Sequence, residues 1–300
     1  MSQFLYTIYG LTIALPIELP GLVSGESDGD VDVRVSFGAT PERLQDAPDD
    51  SKPFQAAGDK MLLRVPTVAR FLIRDGSEIV IEKEKEADDD DVRLYLLGSV
   101  MGAVLHYRGV TPLHGNGFVH EGGAVLVLGN TGVGKSTLAA ALAQKGYTLL
   151  ADDVCAMDTD SDGRSIVFPG VPHVKLWEDA AKRIGVSTGG LRKVTGRMDK
   201  FVSPHHGTFC KHAVPLKRIY ILAKGDVPAI ALEGLSNIKS LFQIKRHTYR
   251  NHIVKALGRE PEHFKRCGEI VNNAKVKKIT RPLHGFFLDE LVESVENDLC

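Results

Sequence analysis

The sequence predicts an α/β protein with a smaller, β-rich N-terminal region, and three observations carry that prediction. Up to about residue 90 the apolar residues alternate in short runs broken by Gly, Pro and Asp. Beyond that point apolar strands and amphipathic helices follow one another in turn. In the middle of the second part a continuous apolar strand, a glycine-rich loop and a helix stand in immediate succession, over residues 124–144. The expected division is therefore residues 1–90 as the β-rich region and 91–300 as the larger domain.

In the first region Phe4 to Tyr9 runs to Gly10, Leu11 to Leu15 stops at Pro16, and Val31 to Val35 alternates strictly. Residues 40–60 are rich in Pro, Asp, Ser and Gly and read as a loop. Met61 to Val65, Arg70 to Ile73 and Ile79 to Ile81 follow, with Asp75-Gly76 marking a hairpin turn. The acidic run that ends in four aspartates at Asp91 reads as a solvated segment that complements the dipole of the next helix. Leu94, Leu97, Met101, Val104 and Leu105 give that helix its apolar stripe.

In the larger domain Gly122-Gly123 turns an apolar hairpin from Val119 into Ala124 to Leu128. Thr137 to Gln144 is a helix ended by Gly146, and Tyr147 to Ala151 a strand. Further on, Ile219 to Ala223 reads as a strand, and Leu241 to Leu257, Glu262 to Asn273 and Leu288 to Val295 as helices.

Composition narrows the function classes. The 300 residues carry a formal net charge of −1, without the basic excess of a nucleic-acid binder. No stretch approaches the roughly 20 apolar residues of a membrane-spanning helix, and the N-terminus has no signal-peptide pattern. Four scattered cysteines form no C-x-x-C pair, so reduced thiols and a cytoplasmic protein are expected.

Gly129, Asn130, Thr131, Gly132, Val133, Gly134, Lys135 and Ser136 match G-x-x-x-x-G-K-[ST], between strand and helix. Glycines let successive backbone N–H groups turn inward around a phosphate, and the helix N-terminus adds its dipole. Lys135 is expected on the β- and γ-phosphates, Ser136 on Mg²⁺, and Thr137 in the first helical turn. The cofactors expected are thus ATP and Mg²⁺.

Asp152 and Asp153 end the apolar strand that follows. Side chains alternate along an extended backbone, so one carboxylate can face the metal and the other an acceptor hydroxyl. Alternation alone leaves open which of the two takes which task.

Leu113-His114-Gly115, the loop 129–136 and Ala151-Asp152-Asp153 together resemble the catalytic domain of HPr kinase/phosphorylase. The resemblance implies a P-loop kinase core of the HPr-kinase/PEP-carboxykinase-like type, with Asp152, His114 and Lys135 catalytic: Asp152 as the general base on the acceptor, His114 beside it, and Asp153 with Ser136 toward the metal. The glutamate which that family uses for magnesium has no match in residues 167–177, nor is the family's basic substrate loop recognisable. Over nearly its full length the chain looks more like the short HPr-kinase-like proteins. The features shared are Tyr9-Gly10-Leu11, Arg108-Gly109 with Pro112-Leu113-His114, Pro169-Gly170 with Leu176-Trp177, and Pro215 to Tyr220. Some of those proteins resemble kinases of the C-terminal serine of lasso-peptide precursors. The resemblance implies a serine kinase acting on a peptide or small-protein phosphoacceptor, compatible with a homo-oligomer. The alternatives are an HPr(Ser) kinase/phosphorylase and a nucleotide-dependent regulatory switch.

Other patterns are weighed and set aside. His205, His206, Cys210 and His212 are zinc-competent but read as a loop. Trp177 and Phe201 read as packing aromatics. Asp160 to Gly163 fits the first guanine-nucleotide string but lies in a polar turn, and Ala223 to Asp226 lacks the Asn of the second, so both read as coincidences. In the basic segment 191–201, Arg197 and Lys200 are candidate cations for transition-state charge.

Overall fold

The computed structural model describes residues 3–19, 22, 24–25, 30–47, 53–177, 192–193, 200–204 and 209–300. It divides into two compact units, Met1–Pro112 with Arg250–His263, and Leu113–Tyr249 with Phe264–Cys300. Both contain sheets and helices, so the chain is a mixed α/β protein.

The first unit is built on a seven-stranded sheet. In chain order its strands are β1 (Phe4–Ile8), β2 (Leu11–Leu15), β3 (Val33–Phe37), β4 (Phe54–Ala57), β5 (Lys60–Val65), β6 (Ala69–Arg74) and β7 (Glu78–Lys83). Their spatial order is β1-β2-β3-β7-β6-β5-β4. The turn expected at Asp75-Gly76 joins β6 to β7, with Arg74 opposite Glu78. Both turn residues have positive φ, 51° and 59°, which Asp tolerates and Gly prefers. Residues 40–60 are not wholly loop, because Phe54–Ala57 pairs with β5 and buries Phe54 and Gln55. The helical stretch comprises α1 (Asp89–Tyr95), a π-turn at Leu96–Val100 and α2 (Met101–Tyr107). Asp88 caps α1 by accepting from the Asp90 N–H, and Asp89, Asp90 and Asp91 occupy its first turn.

The second unit explains its apolar runs. Its elements are β8 (Thr111–His120), β9 (Gly123–Gly129), α3 (Lys135–Gln144), β10 (Thr148–Ala151), β11 (Val154–Thr159), β12 (Ser165–Phe168), β13 (His173–Trp177), β14 (Arg192–Lys193) and β15 (Lys200–Pro204). After these come β16 (Val214–Gly225), β17 (Ala231–Gly234), α4 (Asn237–Arg246), α5 (His252–Ala256, in the first unit), α6 (Glu260–Asn273), β18 (Lys275–Pro282) and α7 (Leu288–Leu299). The main sheet runs β10-β8-β11-β12-β16-β18-β17, with β9 pairing both β8 and β16. The strands β13, β15 and β14 make a separate three-stranded sheet.

At the centre β9, β16 and β18 are parallel. Alternate residues of β9 enter two different cores. Ala124, Leu126 and Leu128 pack with Ile244 and Ile270 of α4 and α6, whereas Val125 and Val127 pack with Leu138 of α3 and Val295 of α7. A strand buried on both faces must be apolar throughout, which is why the pattern of β9 is continuous rather than alternating.

One helix and one strand also differ from the sequence reading. The helix expected over 241–257 is two helices, because Arg250 adopts φ 50° and Thr248 turns aside to bridge Leu113. The parallel strand β18 was not read from the sequence, since its lysines and arginine interrupt the apolar period.

Asp298 on α7 anchors this helix to the central strands β16 and β18. It accepts from Arg218 Nη1 at 2.6 Å, from the Tyr220 hydroxyl at 2.7 Å and from Lys277 Nζ. Its side chain is only 10% exposed, so losing the charge strands two cations. Asp298→Asn should lower the unfolding free energy by about 2 kcal/mol, read from urea denaturation.

Candidate functional site

The site lies in the second unit, where the ends of β8, β9 and β10 meet the start of α3. The loop from Gly129 to Gly134 leaves β9 and returns into α3, as the glycine pattern anticipates. At Gly129 a side chain has no room, since a Cβ would lie 2.4 Å from the Leu222 carbonyl oxygen. Gly132 and Gly134 have φ of 77° and 112°, backbone that curls the loop back on itself. The α3 helix begins at Gly134 without a side-chain cap. Its first-turn N–H groups therefore present donors and the positive end of the dipole to the loop.

Lys135 is buried and threaded across this loop. Its Nζ donates to the Gly129 carbonyl at 2.8 Å, to the Asn130 carbonyl at 3.2 Å and to His114 Nε2 at 3.2 Å. An ammonium can only donate, so His114 Nε2 accepts and Nδ1 carries the ring proton. Nδ1 in turn lies 3.1 Å from the Asp153 carbonyl and 3.3 Å from its carboxylate. His114 is held from behind as well, since its backbone N–H donates to the His247 carbonyl at 2.7 Å. Lys135, His114 and Asp153 thus form one polar chain.

Asp152 belongs to a different set of contacts. Its Oδ1 accepts from Asn116 Nδ2 and lies 3.4 Å from Ser136 Oγ. The structure therefore divides the aspartate pair differently from the sequence expectation: Asp152, not Asp153, is beside Ser136, and Asp153 is beside His114. The physical reason is the turn between them. Asp153 has φ 72°, and the Val154 N–H donates to the Asp152 carbonyl at 2.9 Å, so simple strand alternation does not apply. Behind the pair, burial first and then the two carboxylates push the Cys155 thiol up, which keeps it protonated.

Asn116 escaped the sequence reading, although a signal for it existed. It follows His114 by two residues on β8, and alternation places both on one face. Its amide is 2% exposed, and its Oδ1 has no hydrogen-bond partner among the described residues. His247 gave no signal, because only the fold brings the C-terminus of α4 to His114. Arg281 of β18 was also missed; its Nε donates to the Val133 carbonyl at 2.9 Å and steadies the loop.

The donor set suits a triphosphate with magnesium. The loop offers backbone N–H groups and one ammonium, while Ser136 Oγ, Asp152 Oδ1 and the orphaned Asn116 Oδ1 are the hard oxygen ligands that magnesium takes. A cavity of about 420 Å³ adjoins the loop, lined by Asn130, Thr131, Gly132 and Val133 on one side. Thr137 lies in the first turn of α3. Lys200 opens β15, and Arg197, His205 and His206 lie outside the described residues. Among the described residues no group of three or more His, Cys, Asp and Glu is placed to hold a metal ion; Cys210 Sγ instead donates to the His212 carbonyl at 3.2 Å. Nor is any helix among them long and apolar enough to cross a membrane.

Neither a family model nor a curated protein matches this chain. Among solved structures, the HPr(Ser) kinase/phosphatase from Coxiella burnetii aligns with 62% of this chain and 94% of its own. The TM-score is 0.34 at 16% identity, a similarity too loose to bear on fold or activity.

His247 makes the site acid-sensitive. Burial, followed by the charges of Arg246, Lys135 and His114, pushes its imidazole from the ordinary 6.5 down to about 4. Below pH 6.5 the unfolded chain takes up a proton that the folded chain refuses, so stability falls as pH drops toward 4 and is complete above 6.5. This loss should reach about 2 kcal/mol and be largely absent in His247→Gln, read from chemical unfolding at stepped pH.

Proposed function

We propose that the chain is an ATP- and magnesium-dependent kinase that phosphorylates a hydroxyl, most simply a serine on a peptide or small protein. One observation carries this reading: a buried lysine at the mouth of a glycine loop is tied through His114 to one carboxylate, while a second carboxylate contacts the adjoining serine. Such a site separates the two tasks that phosphoryl transfer sets, neutralising charge and removing the acceptor proton.

In this reading residues 123–144 are the P-loop strand, loop and helix of a kinase core, akin to the HPr-kinase type suggested by the sequence. When bound, magnesium and the triphosphate supply an activated phosphoryl group and part of its charge neutralisation. The protein does the rest. Lys135 exchanges the Gly129 and Asn130 carbonyls for phosphate oxygens, and α3 directs its N–H groups at the same anion. Ser136 and Asp152 would hold the metal, with Asn116 fixing the Asp152 carboxylate and offering Oδ1 as a further oxygen donor. Asp153 accepts the proton of the acceptor hydroxyl, and His114 keeps that carboxylate oriented. The roles of the aspartates follow their contacts rather than their order along the chain.

Incubation with γ-labelled ATP and a serine-peptide library tests the reading. Labelled peptide supports a kinase; release of free phosphate alone contradicts it and favours a nucleotide switch. Asp153→Asn should lower turnover by about 10³-fold or more while leaving the affinity for the magnesium nucleotide nearly unchanged. Asp152→Asn should instead raise the magnesium concentration needed for half-maximal rate. Finding these two effects interchanged would restore the first aspartate as the base.

A further inference from the structure

The cavity beside the loop has a chemistry that the phosphate cradle does not use. Opposite Asn130 to Val133 its wall is formed by the end of β16 and the last turn of α4, which contribute Lys224, Gln243, Arg246 and His247, together with Lys278 of β18. Ile221, Leu222 and Ala223 form its apolar floor. Three of these side chains are cationic, and no carboxylate is among the lining residues. Lys278 has Glu233 3.4 Å away, a carboxylate 60% exposed on β17. Arg246 and Lys224 are both exposed.

The lining includes residues 130–133 of the loop but neither Lys135 nor Ser136. A compartment of about 420 Å³ has room for a small group of several heavy atoms next to the loop, and its cationic lining favours a negative one. Guanidinium and ammonium groups converging on a concave surface concentrate an anion there, and the apolar floor raises the strength of each contact.

We propose that this cavity binds an anionic group, a carboxylate or a phosphate, carried by the molecule whose hydroxyl is phosphorylated. The proposal rests on the kinase reading and adds the substrate class: an acceptor with its own fixed negative charge, held by Arg246 and Lys224 while its hydroxyl reaches the site of transfer. Lys278 contributes long-range attraction, and Gln243 and His247 supply neutral polar contacts.

Inorganic phosphate and succinate serve as probes. Thermal unfolding of the full chain, saturated with magnesium and a non-hydrolysable ATP analogue, is followed as either anion replaces chloride at constant ionic strength. The midpoint should rise with at least one of them, and the anion giving the larger rise identifies phosphate or carboxylate as the preferred group. The double variant Arg246→Gln with Lys224→Gln should weaken that anion about tenfold or more. Both positions are exposed, so the variant should fold, and its affinity for the nucleotide analogue should match the wild type within about twofold. A midpoint insensitive to both anions, a response unchanged in the double variant, or displacement of the nucleotide by the anion would each overturn the proposal. Should the analogue itself not bind, the kinase reading fails. The same titration of nucleotide-free protein then decides the cavity: a response lost in the double variant and kept in Lys135→Ala supports an anion site there, and any other result rejects it.

Discussion

Gly115 has no space for a side chain. A Cβ there would meet Leu128 Cδ2 at 2.5 Å and the Val127 carbonyl oxygen at 2.6 Å. That constraint lets β8 lie flush against β9, with Gly115 opposite Leu128, one residue before the glycine loop begins. The neighbours of Gly115, His114 and Asn116, thereby reach the loop from the adjoining strand, and each meets a different aspartate. The polar site depends on this apolar fit. Without it the lysine of the loop would have its carbonyl partners but not the imidazole that links it to Asp153.

The two-sided core makes that arrangement rigid. Strand β9 is buried against α3 and α7 on one face and α4 and α6 on the other, so the loop emerges from a strand packed on both sides. Rigidity matters for charge chemistry. Donors held in place before a ligand arrives need not reorganise during the reaction, and a charge spread over a phosphoryl group rewards such preorganisation. The positive φ at Asp153 fits the same logic, since a left-handed residue there takes the pair off plain strand alternation and sets the second carboxylate beside His114.

Much of this was legible in the sequence because the signals were local. The loop string names its own strand and helix, the Asp75-Gly76 pair names its hairpin, and Asp88 with the aspartates after it names a helix start. That Asp152 rather than Asp153 stands beside Ser136 could not be read, because the backbone is not extended through both, and no residue pattern announces a left-handed aspartate. Strand β18 was hidden because its parallel partner, β16, lies some fifty residues earlier, and because Val276 and Ile279, three residues apart with two lysines between them, enter opposite cores and show no alternation. His247 and Arg246 were illegible for a related reason: their importance comes from where α4 ends in space. Local chemistry is written in consecutive residues, whereas the walls of a cavity are assembled by topology.

The central claim is that Lys135 is a phosphate ligand waiting on two carbonyls and an imidazole, with Asp152 reserved for the metal. The most direct test is a crystal structure of the protein with magnesium and a non-hydrolysable ATP analogue. The account predicts that Lys135 Nζ leaves the Gly129 and Asn130 carbonyls for the terminal phosphates, with the metal between Ser136 and Asp152. A nucleotide bound away from residues 129–136, or a metal seated on Asp153 instead, would contradict it.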